Sequence, residues 1–312
     1  MSLASLMFLC IALSATVNAG PVKRRAAVCN GYSQLCSRLY SNVTYIGAHD
    51  SYAIDSTSID REHSYLRLLY LNFLLPSLTK SCGEPIHLHH CATQLGVRVL
   101  QSQAHLKDGH IELCHTGGSL LSYLEEVKTW LDANPNEVLT LVVTNPDAIS
   151  VADYWGPDFV AAGLDTYAYV PSSSQPGLSD WPTLGSMIDS GKRLVVFMDY
   201  NSDTSSVPYI LPEFSSVWET KYDVTDSSFP CTVDRGSTPG MLMANHFLDV
   251  SIFGILIPDR GSADITNSVS SIVANSNGCL SLNSGNAPTF ILLDFVNQGQ
   301  TITAGNILNG LT

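Results

Sequence analysis

Apolar residues along this chain gather into short continuous runs, separated by longer stretches of mixed polarity. Seven runs predict strands: Val43–Gly47, Val97–Gln103, Ile111–Cys114, Val138–Thr144, Leu194–Met198, Met241–Ala244 and Phe290–Phe295. Most lack strict polar alternation, the pattern of strands covered on both faces. Between them, Ser119–Asn134 is the clearest helix. Leu120, Leu121, Leu124, Val127 and Leu131 fall on one stripe, and Asn134-Pro135 ends it. A shorter helix is predicted over Trp181–Ser190, stopped by Gly191. Strands alternating with helices predict a parallel α/β sheet, and periodicity alone leaves it open or closed.

Two stretches break this rhythm. The first 19 residues, "MSLASLMFLCIALSATVNA", are an apolar run ending in small residues. They predict a secretory signal peptide, cleaved after Ala19, or else a buried N-terminal helix. Residues 20–28 then form a short pro-segment whose Lys23-Arg24-Arg25 reads as a dibasic processing site or a solvated charge cluster. The second stretch, Leu66–His90, opens with a nearly unbroken apolar run of ten residues, too short to span a bilayer. It reads as a surface insert or as an unspliced intron carried into the coding sequence. Its Cys82, His87, His89, His90 and Cys91 include zinc-ligand types, but their spacing matches no zinc pattern, so no metal site is expected.

Composition narrows the class. With 312 residues, 45% hydrophobic and 14% charged, the chain folds compactly, as one barrel-sized domain or as two smaller ones. A formal charge of −13 argues against a nucleic-acid partner and against long-range attraction to anionic membranes. Removing the signal leaves seven cysteines: Cys29, Cys36, Cys82, Cys91, Cys114, Cys231 and Cys279. In an exported protein most of these pair. Cys29–Cys36 is the first expected bridge and Cys231–Cys279 the second, with Cys82–Cys91 available if the insert is real. The sequon at Asn42 fits export.

Candidate chemistry sits at strand ends. In "NVTYIGAHDSY" a buried strand runs through Gly47 into His49 and Asp50. In residues 96–118 an extended Val97–Leu106 would place Val97, Val99, Gln101, Gln103 and His105 on one face. After a turn at Lys107-Asp108-Gly109, a further strand would end on Cys114-His115-Thr116. Two histidines would thus terminate strands, where parallel α/β folds build their sites.

"GAHDS", then a "GVRVL" strand and then "CHT", resemble the X-domain of phosphatidylinositol-specific phospholipases C. The chain is more closely similar to secreted fungal phospholipase C-like phosphodiesterases with a TIM-type barrel. The resemblance runs from about Cys29 to Phe295 and takes in "YLEEVKTWLDANPNEVLTL", "GKRLVVFMD", "FPCTVDR", "NHFLD" and "LLDFV". It implies one distorted TIM-type (β/α) barrel over residues 29–312, with 66–90 as an atypical insert. It also implies a secreted phosphoric diester hydrolase acting on a phosphodiester or phospholipid headgroup. His49 would be the general base, His115 the general acid and Asp294 the carboxylate supporting His49, with Asp50 beside the base. Histidine suits both jobs because its pKa lies near neutrality.

The departures from the family matter as much. Positions that carry acidic calcium ligands in animal relatives, or an arginine in bacterial ones, are Gln101 and Gln103 here; a further ligand position falls near Thr144. A family-type calcium site is therefore not expected, and the expected cofactor list is empty. Nor does an arginine offset the growing phosphoryl charge there. Arg98 should face the other side of its strand and Lys107 lies in the turn, which leaves Arg235 or Arg260 to reach in. Where relatives read "LCHTSC", Gly118 replaces the second cysteine. Asp199, Tyr200 and His246 follow strands and are candidate headgroup contacts or caps. Two functions follow: a metal-independent phosphodiesterase working through His49 and His115, or a catalytically degenerate barrel that binds a phosphorylated headgroup or glycan. Transient contact with a membrane surface is expected, and location outside the cell or in its wall.

Overall fold

The computed structural model describes residues 25–51, 88–113, 118–173 and 175–311. The stretch expected to be a signal peptide, Lys23 and Arg24, almost all of the stretch 66–90 expected to be an insert and residues 114–117, His115 among them, lie outside the described residues.

In chain order the elements begin with β1 (Tyr45–Ala48), α1 (Leu88–Leu95), β2 (Val99–Ser102), β3 (Ala104–Lys107) and β4 (His110–Leu113). Next come α2 (Leu120–Ala133), β5 (Leu139–Val143), α3 (Gly156–Ala161), α4 (Leu184–Ser190), β6 (Leu194–Met198), β7 (Ile210–Pro212) and β8 (Val217–Glu219). The chain closes with β9 (Met241–Asn245), β10 (Asp249–Ile252), β11 (Ile255–Pro258), α5 (Ala263–Thr266), α6 (Val269–Cys279), β12 (Phe290–Leu293) and α7 (Thr301–Leu308).

Eight of these strands form one parallel sheet in the order β7-β6-β5-β2-β1-β12-β9-β8. The first and last strands of the chain's barrel segment, β1 and β12, thus lie side by side, Tyr45 opposite Phe290 and Ala48 opposite Leu293. The sheet curls into a distorted TIM-type barrel. Among the described residues no ladder joins β7 to β8, so the barrel is open along that seam.

The period of two along each strand sorts the core into two layers. Ile46, Leu100, Leu141, Val196 and Ile291 pack outward against the helices, including Leu120, Leu124, Val127 and Leu131 of α2. Their alternates Tyr45, Val99, Val142, Phe197, Met243 and Phe290 fill the interior with Tyr40 and Trp181. Both faces are covered, which is why the strands read as continuous apolar runs. Helix α2 follows its predicted stripe with one substitution: Tyr123 and Trp130 are buried on it, while Leu121 is only half-buried. The Ser119 hydroxyl accepts a bond from the Ser122 N–H at 3.1 Å, capping the helix where the sequence placed its start. Thr183 does the same for α4, whose end is Gly191 with φ +76°.

Both first-choice bridges are formed, Cys29–Cys36 and Cys231–Cys279. One strand assignment is corrected. The segment ending at Leu113 is not a barrel strand but the second arm of an antiparallel hairpin with β3, Ala104 opposite Leu113. Asp108 and Gly109 both take positive φ, +51° and +83°. An Asp-Gly turn of that geometry pairs its flanks antiparallel, whereas a parallel neighbour needs a crossover of a dozen residues or more.

Candidate active site

The inward face of each barrel strand turns from apolar to polar at its carboxyl end. Tyr45 and Gly47 lead to His49, Val99 to Gln101, Phe197 to Asp199, Leu211 to Glu213, Val217 to Glu219, Met243 to Asn245, and Leu292 to Asp294. These are steps of two along the strands, so the ring of polar residues follows from register.

His49 is fixed from four sides. Its N–H donates to the Leu293 carbonyl at 3.0 Å, continuing the β1–β12 ladder by one residue. Its ring stacks on Phe247 with centroids 4.0 Å apart and planes 7° from parallel. Nδ1 bonds Asp294 Oδ1 at 2.9 Å, and Asp50 Oδ2 stands 3.9 Å from the same nitrogen. Nε2 has no hydrogen-bond partner among the described residues, and the side chain retains 17% exposure. Gly47 permits the arrangement: a Cβ there would stand 2.6 Å from Leu292 Cδ2 and 3.0 Å from Val99 Cβ. The glycine therefore lets β1 pack between β2 and β12 closely enough for the two catalytic candidates to meet.

Burial by itself would lower the His49 pKa. The charges of Asp50 and Asp294, the hydrogen bond that the ring donates to Asp294 and the more distant charge of Asp249 outweigh it, and the pKa is pushed up to about 10. At neutral pH the ring is a cation held by carboxylates. Asp50 has φ +45°, a left-handed conformation that Asp tolerates better than most residues. Its N–H donates to Gln101 Oε1 at 2.9 Å, and the next N–H, of Ser51, to the Gln101 carbonyl at 2.8 Å. Gln101 is thereby committed to holding the His49–Asp50 turn. Gln103 is half-buried just past β2.

Other expected residues fall elsewhere. His246 is fully covered. Its Nδ1 bonds Asn275 Oδ1 at 3.1 Å, its Nε2 the Thr266 carbonyl at 2.9 Å, and its ring lies 4.0 Å from that of Phe229. Burial lowers its pKa and the ring offers nothing to a ligand. The sequence marked it as a strand-end polar residue, but one step of register sends it outward to α6. Asp199 caps the next turn, its Oδ1 accepting from the N–H groups of Asn145 and Tyr200 at 2.7 and 2.8 Å. Burial raises its pKa against those bonds. Tyr200 is exposed beside Phe214, centroids 5.9 Å apart. His105 does not share the barrel face; it is exposed on the hairpin and bonded to Asp147 at 3.1 Å. Arg98 faces outward as expected, donating to Glu137 at 2.8 Å and lying over the Trp130 ring. Lys107 pairs with Glu112 across the hairpin at 2.8 Å, and Arg260 lies over Phe295 at 5.4 Å.

A second cluster stands at the open seam around Arg235, one of the two cations the sequence left to reach in; its acidic members Glu213 and Glu219 escaped the sequence reading. Arg235 donates twice to Glu219 Oε2, at 3.0 and 2.6 Å, between the rings of Phe214 and Tyr222 at 5.2 and 4.8 Å. Asn245 Nδ2 donates to the same oxygen at 3.4 Å. Glu213 is buried beside them; burial first, then the charge and hydrogen bond of Glu219, push its pKa well up. Asp223 joins the two clusters electrostatically. Burial raises its pKa, His49 and Arg235 lower it, and Asp50 and Asp294 raise it. The period-of-two rule applied to β7 and β8 would have found Glu213 and Glu219, but both strands are three residues long and lack a periodic signal.

A parallel (β/α) barrel with a carboxylate-bound histidine at the carboxyl ends of its strands defines the class. The family model PI-PLC X 1 matches residues 87–309, and the chain belongs to that phospholipase C X-domain family. It is 37% identical over 299 residues to PI-PLC X domain-containing protein 1 of Arthroderma benhamiae, covering 91% of this chain and 90% of that relative. It is also 37% identical over 299 residues to an uncharacterized secreted protein of the same fungus, spanning 87% of this chain and 60% of the relative's length. Among solved structures, the phosphatidylinositol-specific phospholipase C from Listeria monocytogenes superposes with a TM-score of 0.50 at 14% identity. That match covers 88% of this chain and 94% of that one. A mutant of the phosphatidylinositol-specific phospholipase C from Staphylococcus aureus gives 0.50 at 13% identity, covering 89% and 94%. These two likenesses concern the fold.

Proposed function

We propose that the protein is a secreted phospholipase C-like phosphodiesterase that cleaves a lipid or related phosphodiester without a metal ion. The observation that carries this reading is the His49–Asp294 couple, with Nδ1 committed to the carboxylate and Nε2 without a hydrogen-bond partner among the described residues. In the proposed reaction Nε2 of neutral His49 takes the proton of a substrate hydroxyl adjacent to phosphorus. That oxygen attacks phosphorus and the bond to the leaving alkoxide breaks. His115 gives the leaving oxygen its proton, so a cyclic phosphodiester and an alcohol result. An inositol phosphodiester has the required neighbouring hydroxyl. Gln101 positions the turn rather than contacting the phosphate, while Gln103, Asp199 and Tyr200 remain available to the headgroup. Secretion is supported by the apolar leader, the two disulfides and the secreted relative.

One observation favours the alternative of a headgroup-binding barrel with degenerate catalysis. A histidine titrating at about 10 is in its base form to only about one part in a thousand at pH 7. The enzymatic reading therefore predicts activity that climbs with pH. The test is cleavage of inositol, glycerol and choline phosphodiesters by purified protein, with and without EDTA, beside His49→Ala and His115→Ala. Cleavage that resists EDTA and vanishes in both variants supports the proposal. No cleavage up to pH 10, with headgroup binding intact, establishes the binding barrel instead.

A further inference from the structure

The basic run Lys23-Arg24-Arg25 takes no part in the barrel's chemistry, and it stops one residue short of an anchored position. Arg25 is exposed and has no regular structure, whereas Ala26 is half-buried and packs against the interior cluster of the barrel. The Ala26 N–H donates to Asp189 Oδ1 at 2.8 Å, on the last turn of α4. Three residues further on, Cys29 is fully buried and bridged to Cys36.

The same segment closes the amino end of the barrel. The Asn30 N–H donates to the Asn136 carbonyl at 3.1 Å, just before β5. Asn30 Nδ2 donates to the Val138 carbonyl at 3.2 Å, and its Oδ1 accepts from the Val138 N–H at 2.7 Å. The Gly185 N–H donates to the Cys36 carbonyl at 2.9 Å, and a Cβ at Gly185 would stand 2.8 Å from that oxygen. The glycine thus lets the disulfide loop lie directly on α4, at the end of the parallel strands opposite His49.

We propose that the Arg25–Ala26 bond is a processing site for an endoprotease of the secretory pathway whose acidic pockets take consecutive basic residues, and that the Ala26 ammonium it frees pairs with Asp189. In the hydrolysis the oxygen of water bonds to the Arg25 carbonyl carbon as the C–N bond breaks. Both hydrogens of the water end on the Ala26 nitrogen, which leaves Arg25 as a carboxylate and Ala26 as an ammonium. The proposal rests on secretion and is independent of the phosphodiester chemistry.

A charge cluster kept only for solvation would need no particular successor. Here the residue after the last arginine is the one whose nitrogen meets a carboxylate. A cut one residue to either side would displace the new ammonium by about 3.8 Å along the chain. As an amide this nitrogen offers Asp189 a single neutral donor; as an ammonium it offers three donors and a full charge. Ala27 and Val28, on the other side of the anchor, are exposed and irregular, so the strip can open locally into the extended form a protease needs.

The test secretes the full chain from a fungal host that has such an endoprotease and from the same host lacking it. Intact mass and amino-terminal sequencing read the purified products. With the protease, wild type should begin at Ala26; without it, and in Arg25→Gln with it, the basic run should stay attached. In denaturant unfolding, processing of wild type should raise the folding equilibrium constant about two- to fivefold, the yield of a partly screened ion pair. Asp189→Asn keeps an acceptor oxygen and removes only the charge, so it should still be cut but should gain less from the cut. Acylation of the α-amino group near neutral pH should be faster in processed Asp189→Asn than in processed wild type. A secreted product that keeps Arg25 in the protease-bearing host would overturn the inference and leave secretion standing, whereas a chain held uncut inside the cell would remove both. An equal gain from processing in wild type and Asp189→Asn would also overturn it.

Discussion

Replacing Asp50 by asparagine separates the electrostatics of His49 from its orientation. Asp50 Oδ2 stands 3.9 Å from Nδ1 and acts through its charge, whereas Asp294 makes the hydrogen bond. Asn is nearly the same size, accepts φ +45°, and leaves the Asp50 backbone N–H on Gln101. Two unit charges at that separation interact by about 1 kcal/mol in water and about 4 kcal/mol at an effective dielectric of 20. The side chains are 17% and 20% exposed, so the interaction belongs between those bounds. About 1.4–3 kcal/mol corresponds to about one to two pKa units. Asp50→Asn should therefore move the His49 pKa from about 10 toward 8–9. The acidic limb of kcat/KM against pH on a soluble phosphodiester should shift down by the same amount, raising activity at pH 7 about tenfold or more if nothing else changes. NMR titration of the His49 ring in the free protein reads the pKa directly. An unchanged His49 titration in Asp50→Asn would refute the assignment of its charge to these carboxylates.

The same linkage reaches stability. A histidine whose folded pKa is raised adds stability that is complete below its unfolded value of about 6.5 and disappears as pH climbs through about 10. The melting temperature should fall across that window, less steeply in Asp294→Asn; an equal slope in the two proteins would count against it. Gly47→Ala forces a methyl against Leu292 and Val99 and should cost about 1–3 kcal/mol by denaturant unfolding, with activity lost beyond the stability effect because β1 and β12 separate. Arg235→Ala leaves Glu219, only 3% exposed, without its cation and should cost about 3–5 kcal/mol, partly relieved by adding Glu219→Gln in a double-mutant cycle. The bridge Cys231–Cys279 spans 48 residues, so Cys231→Ser with Cys279→Ser should lose about 4 kcal/mol.

Most of the barrel was legible because its strands are buried on both faces. Leu194–Met198 carries that signal without interruption and was bounded to the residue, and Ser119 and Gly191 announced helix ends through local hydrogen bonding and a left-handed turn. His49, Asp50 and Asp294 could be named from motif and strand ends because a strand's carboxyl end is fixed by local sequence. The pairing of β1 with β12, which joins residues 245 positions apart, is a property of barrel closure and has no local trace. Register also decided His246, which shares a strand end with Asn245 yet faces α6, and it placed Glu213 and Glu219 at the ends of strands too short to show a period, where Arg235 comes in from a loop to meet Glu219. The sequence alone determined which residues could do proton chemistry and where strands would present them. Only the tertiary structure decided that two carboxylates surround His49 and hold it as a cation, since charge interactions follow distance in space and not along the chain.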